Sequence, residues 1–73
     1  MHSGKLTIAW FEHAEPKPAY REESVDGDLL EAVVRAAALS QEPCFLRGRV
    51  LGLDDMVLAT VAPTGAIRMT TRR

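Results

Sequence analysis

Residues 26–41 read DGDLLEAVVRAAALSQ, and the placing of this stretch decides the fold. It is the one long segment whose apolar residues recur at helical spacing. Leu30, Val33, Val34 and Ala37 stand at i, i+3, i+4 and i+7, the stripe by which a surface helix faces a core. Asp28, Glu31 and Arg35 share the opposite side, and Glu31 precedes Arg35 by four residues, an ion-pair spacing that contributes roughly 0.2–0.5 kcal/mol. The helix start has two readings. With Asp26 as N-cap, Val25 and Leu30 form a hydrophobic staple; with Asp28 as N-cap, Glu31 completes a capping-box-like pair. Pro43 closes the segment, so the helix is expected over about 27–41. Ala32, Ala36 and Leu39 form a second apolar strip beside the charged one. Alanine is a good helix former that needs no partner; alternatively, the strip docks a second subunit or a partner protein.

Outward from the helix, the chain reads as strands and turns. Residues 5–12 alternate, with Leu6, Ile8 and Trp10 on one side and Lys5, Thr7, Ala9 and Phe11 on the other, a half-buried strand. Phe11 is out of place on the more polar side. Residues 13–25 are polar and carry Pro16 and Pro18, which forbid helix. They form either one long loop or a turn followed by an edge strand over about 19–24, where prolines and charges discourage pairing with other chains. Beyond the helix, residues 44–52 are expected as a strand with Cys44, Leu46, Gly48 and Val50 inward and Phe45, Arg47, Arg49 and Leu51 outward. Gly48 marks a bulge or a close approach. Residues 56–62, apolar on both faces apart from Thr60, read as a central strand. Pro63, Thr64 and Gly65 make a tight turn, and residues 66–71 return as the last strand with Ile67 and Met69 inward.

The sum is an α+β two-layer sandwich: one helix on a mainly antiparallel sheet of four or five strands, in the order β-(β)-α-β-β-β. The expected core is Leu6, Ile8, Trp10, Leu30, Val33, Val34, Ala37, Leu46, Val50, Leu58, Ile67 and Met69.

Length and composition bound the rest. A chain of 73 residues makes one domain. So short a chain buries only about 60% of its unfolded surface. The lone cysteine, Cys44, allows no internal disulfide and no cysteine-based zinc cage, which suits a reducing cytoplasm or a homodimer as the missing source of stability. No apolar run has the length of a membrane span. Net charge is −1 but unevenly placed. Residues 1–43 carry four bases against eight acids, a net of −4, and residues 44–73 carry five bases against two acids, a net of +3. Such asymmetry points to an interaction surface.

No catalytic, phosphate-binding or metal-binding motif is present. Glu12, His13, Glu15 and His2 lack the spacing of a ligand set. Cys44 and His13 could serve as nucleophile and base only if the fold joined them. The expectation is therefore a non-enzymatic protein without a cofactor. The outer face of the sheet gathers Lys5, Arg47, Arg49, Arg68 and Arg72 with Thr7, Thr70, Phe45 and Phe11. Arginines beside an exposed ring are what a single-stranded nucleic-acid platform uses, although arginine stems also simply cover apolar sheet surface, and a pI near 6.1 falls below the usual basic footprint. Tyr20 is either an interface anchor or a cover for the sheet edge.

The run QEPCFLRGRVLGLDDMVLATVAPTGAIRM, residues 41–69, resembles the C-terminal half of small phage-encoded anti-CRISPR proteins. The positions that carry the resemblance are Cys44, Phe45, Gly48, Val50, Leu58, Ala59, Gly65 and Arg68. The resemblance implies a non-enzymatic inhibitor encoded by a phage or mobile element and docking on a nucleoprotein complex. The leading expectation is thus a small cytoplasmic binding protein or inhibitor acting on a protein or nucleoprotein partner. The alternative is a nucleic-acid-binding regulator using the basic sheet face. The residues expected to meet a partner are Ala32, Ala36, Leu39, Arg47, Arg49, Arg68 and Tyr20.

Overall fold

A computed structural model describes residues 5–52 and 55–70. The elements are β1 (Lys5–Glu12), β2 (Ala19–Asp26), α1 (Leu29–Leu39), β3 (Phe45–Leu51), β4 (Val57–Val61) and β5 (Ile67–Met69). All strand pairs are antiparallel and the sheet order is β2-β1-β3-β4-β5. The helix lies across β3, β1 and β4. The architecture is the expected α+β sandwich with one helix on an antiparallel sheet. The two readings of residues 13–25 resolve to a strand longer than 19–24: β2 pairs with β1 along all eight residues, from Lys5 opposite Asp26 to Glu12 opposite Ala19. As an edge strand, β2 tolerates the charges of AYREESVD. Gly65, with φ of 92°, supplies the positive φ that the turn between β4 and β5 requires.

Asp28 is the N-cap. Its backbone is extended and its Oδ1 accepts the Glu31 N–H at 3.0 Å. At the other end the Ser40 N–H donates to the Ala36 carbonyl, and the Ser40 hydroxyl satisfies the Ala37 carbonyl at 2.6 Å.

The helix does not bury its expected face. Ala32 and Ala36 are 0% and 1% exposed, whereas Leu30 and Val34 are 69% and 61% exposed. Leu29, Val33 and Leu39 pack at the margins of the core, so the buried stripe is Leu29, Ala32, Val33, Ala36, Leu39 and Ser40. That stripe has helical spacing too. The physical reason is volume. Trp10 and Phe45 rise from the sheet into the core, and a helix over two such rings must present small side chains to approach at packing distance. The expectation that Ala32, Ala36 and Leu39 meet a partner is therefore corrected: the two alanines are sealed against the sheet and Leu39 is packed beside them. Of the expected core, Leu30 and Val34 belong to the surface and Met69 is 48% exposed on the short edge strand β5.

Two bulges account for the remaining differences. Along β1, Phe11 faces Arg47 but Glu12 faces Phe45, so β3 carries one extra residue there. The slip turns Phe45 to the helix side, where it is buried, instead of the outer face. Between β3 and β4, Val50 faces Ala59 and Leu51 faces Val57, which leaves Leu58 as the extra residue. Ala59 and Val61 fill the core in place of Leu58.

Polar contacts join the helix to β2 and brace β1 against β2. Arg35 pairs not with Glu31 but with Glu23 of β2, through Nε at 2.7 Å and a second nitrogen at 3.0 Å. Glu12 accepts from the Trp10 indole at 3.0 Å and from Arg21 at 3.2 Å. The hydrogen bonds from Arg35 hold the Glu23 carboxyl below its ordinary value, against the opposing effect of burial. A lowered carboxylate stabilises the fold above the unfolded value of about 4.3 and loses that contribution as pH falls through the lower folded value. The thermal midpoint is expected to drop on acidification from about pH 5 to about pH 3, and to drop less in Glu23→Gln. Thermal melts across that window check this; equal acid sensitivity of the two proteins would refute the role given to Glu23.

Candidate functional site

The face of the sheet away from the helix is built row by row from the strand register. Residues directly opposite one another in antiparallel strands share a face. One row runs Tyr20, Phe11, Arg47 across β2, β1 and β3. The next runs Glu22, Ala9, Arg49, Thr60, Arg68 across all five strands. Among strand positions of this face, Lys5, Arg47, Arg49 and Arg68 stand against Glu22 and Asp26, four bases against two acids.

The first row is held by its rings. Phe11 and Tyr20 lie with centroids 5.2 Å apart and planes tilted by 57°. The Arg47 guanidinium sits 4.9 Å from the centre of the Phe11 ring, a cation–π contact of about 0.5–1 kcal/mol at an exposed site. The Tyr20 hydroxyl donates to Glu22 at 2.6 Å. That hydrogen bond, followed by desolvation and the Glu22 charge, raises the Tyr20 hydroxyl above its ordinary value, and Arg49 opposes it. The Tyr20 hydroxyl thus reaches back to Glu22 on its own strand.

The second row is lower. Ala9 is buried beneath its neighbours, and the short side chains of Ala9 and Thr60 leave a depression of about 530 Å³. Phe11, Tyr20, Arg47 and Arg49 stand around it. A volume of this size falls in the range of about 300–1,000 Å³ typical of small-molecule sites. Its chemistry is a ring wall on the β2–β1 side and guanidinium groups on the β3 side.

Of the expected partner-binding residues, Tyr20, Arg47 and Arg49 are brought together here. Arg68 stands in the same row as Arg49, two strands away, and does not line the depression. Arg72 and His2 lie outside the described residues. Phe11 belongs to the site, which explains its place on the polar side of β1. Glu22 and Ala9 carried no sequence signal, because their roles depend on the β2–β1–β3 register.

The backbones of His13 and Cys44 do meet, the His13 N–H donating to the Cys44 carbonyl at 2.7 Å. Neither residue lines the depression. Among the described residues no group of three or more His, Cys, Asp or Glu side chains could hold a metal ion. Among them, too, no helix is long and apolar enough to cross a membrane. Comparison with protein-family models, curated proteins and solved structures finds no match to this chain.

Proposed function

We propose that the chain is a small non-enzymatic binding protein that docks a polyanionic partner on the outer face of its sheet. One observation carries this reading. The strand register sets Arg47 and Arg49 in adjacent rows beside an exposed tyrosine, around an open depression. Guanidinium groups so arrayed suit phosphate or carboxylate groups, and the ring pair supplies contact area at low entropic cost. The resemblance of residues 41–69 to anti-CRISPR proteins implies a nucleoprotein target, which presents a polyanion. A reducing compartment such as the cytoplasm suits the unpaired Cys44.

The test is retention of the purified protein on a heparin column, heparin being a generic polyanion. The wild type is expected to bind at low salt and to elute as salt rises. Arg47→Glu with Arg49→Glu is expected to pass through unretained, with an unchanged circular dichroism spectrum. Equal retention of the two proteins would refute the site.

A second reading is favoured by the helix. Leu30 and Val34, four residues apart on α1, are both large, apolar and mostly exposed. An apolar ridge of this kind fits a protein partner or a second copy of the chain. In this reading the helix contributes a protein contact through Leu30 and Val34, not through Ala32 and Ala36.

A further inference from the structure

We infer that the polyanion taken by the outer face is single-stranded nucleic acid, with one base against Tyr20 and the backbone running over Arg47, Arg49 and Arg68. This rests on the reading of that face as a polyanion site and specifies its ligand. The argument is the segregation of chemistry along the rows. In the two rows around the depression, β2 and β1 carry two rings, the Glu22 carboxylate and the small floor residue Ala9, and β3 and β5 carry the arginines; Lys5 and Asp26 face each other at the other end of β1 and β2. A ligand that fits both halves needs a flat apolar part and an anionic part side by side, repeating along its length.

Phe11 and Tyr20 have different roles. Phe11 is half-buried and already covered by Arg47. Tyr20 is 52% exposed, propped by Phe11 and held by Glu22. Tyr20 is the stacking ring and Phe11 its support. Glu22, at the β2 end of its row, repels phosphate from that side and so directs the backbone toward β3. Arg47 and Arg49 lie two residues apart along β3, about 6.6 Å by strand rise, and Arg68 lies two strands beyond Arg49, about 9.6 Å by strand spacing. The basic groups thus form a track beside the ring, and the depression between track and ring accepts a splayed base.

The competing polyanions fit worse. A duplex hides its ring faces in its own stack and offers Tyr20 nothing. An acidic peptide satisfies the arginines but leaves the Ala9 floor without a role, and an extended peptide that pairs with a sheet does so at its edge.

The experiment measures fluorescence anisotropy at low salt. The probes are a labelled single strand of about 12 nucleotides, within the site sizes of such platforms, its matching duplex, and polyglutamate and heparin as competitors. The expected result is single-strand binding at least about tenfold tighter than duplex binding, with stacking making the difference. Tyr20→Ala is expected to weaken single-strand binding by about five- to a hundredfold, the range set by the loss of one stacked base. The same change should leave direct retention on heparin unchanged, and Tyr20→Phe should retain single-strand binding because the ring remains. Equal affinity for duplex, no effect of Tyr20→Ala, or stronger competition by polyglutamate than by heparin would each overturn the inference. If any of these occurs while heparin binding still depends on Arg47 and Arg49, the polyanion site survives with a different ligand. Absence of binding to every polyanion would overturn both.

Discussion

Ala36→Glu is expected to remove most of the stability of the chain, whereas Val34→Glu, two residues away on the same helix, is expected to be nearly neutral. Ala36 is 1% exposed and belongs to the cluster that contains Trp10, Phe45 and Val50. A glutamate there must bury a carboxylate in an apolar cluster, where the nearby Ser40 hydroxyl already donates to the Ala37 carbonyl, or displace the helix from the sheet. The effective penalty for a buried unpaired charge is several kcal/mol. A domain of this size has a total stability of roughly 4–11 kcal/mol, from about 0.05–0.15 kcal/mol per residue, so the two magnitudes are comparable. Val34 is mostly exposed, and surface changes of that kind stay within about 0.5 kcal/mol. Urea titration followed by circular dichroism separates the cases. A folded Ala36→Glu protein with a wild-type midpoint would show that the helix presents its other face to the sheet.

Gly48→Val is expected to lower stability by about 1–3 kcal/mol, the cost of overpacking a filled core. Gly48 is buried on β3 directly opposite Trp10. A Cβ added there would lie 3.0 Å from the Trp10 Cβ, 3.0 Å from the tip of the Phe45 ring and 3.2 Å from the Ala9 carbonyl oxygen. The Phe45 ring can tilt. The two groups on β1 cannot, because β1 is hydrogen-bonded between β2 and β3. The γ-methyl groups of valine then compete with the indole for space. This cost outweighs the preference of a strand for a β-branched residue, which spans only about 1 kcal/mol. The check is the urea midpoint at unchanged slope; a midpoint equal to or above the wild type would mean that Trp10 and Phe45 do not pack over Gly48.

These two residues also show what was legible in the sequence. The alternation in residues 5–12 was enough to place Ile8 and Trp10 inward, and Pro63, Thr64 and Gly65 were enough to mark the last turn. The helix and strands appear in the expected order because each carries its own period and its own stop signals. The phase of the helix was not legible. Two stripes, one through Leu30 and Val34 and one through Ala32 and Ala36, share Val33 and have the same spacing. Choosing the larger side chains is the natural reading, but the choice depends on what the facing sheet supplies. Trp10 and Phe45 supply the volume, so the small stripe goes in. Alternation alone puts Phe45 on the outer face; one extra residue on β3 reverses it, and a bulge has no periodic signature.

The site was legible in part for the same reason. Arg47 and Arg49 announce themselves by alternation along one strand, and Tyr20 by its isolation among charges. Their convergence with Phe11 around Ala9 required the pairing of β2 with β1 over its full length, and a polar edge strand gives little sign of its register. Loss of Ala32 and Ala36 as surface residues removes one proposed interface and leaves the sheet face with the ridge of Leu30 and Val34 as its rival.

The measurement that tests the sheet face most directly is a map of backbone amide shifts in an isotope-labelled sample titrated with a heparin fragment. The outer-face account predicts shifts concentrated at Phe11, Tyr20, Arg47, Arg49 and Thr60, with Leu30 and Val34 unmoved. Shifts concentrated on the helix at Leu30 and Val34, or no shifts at low salt, would contradict it.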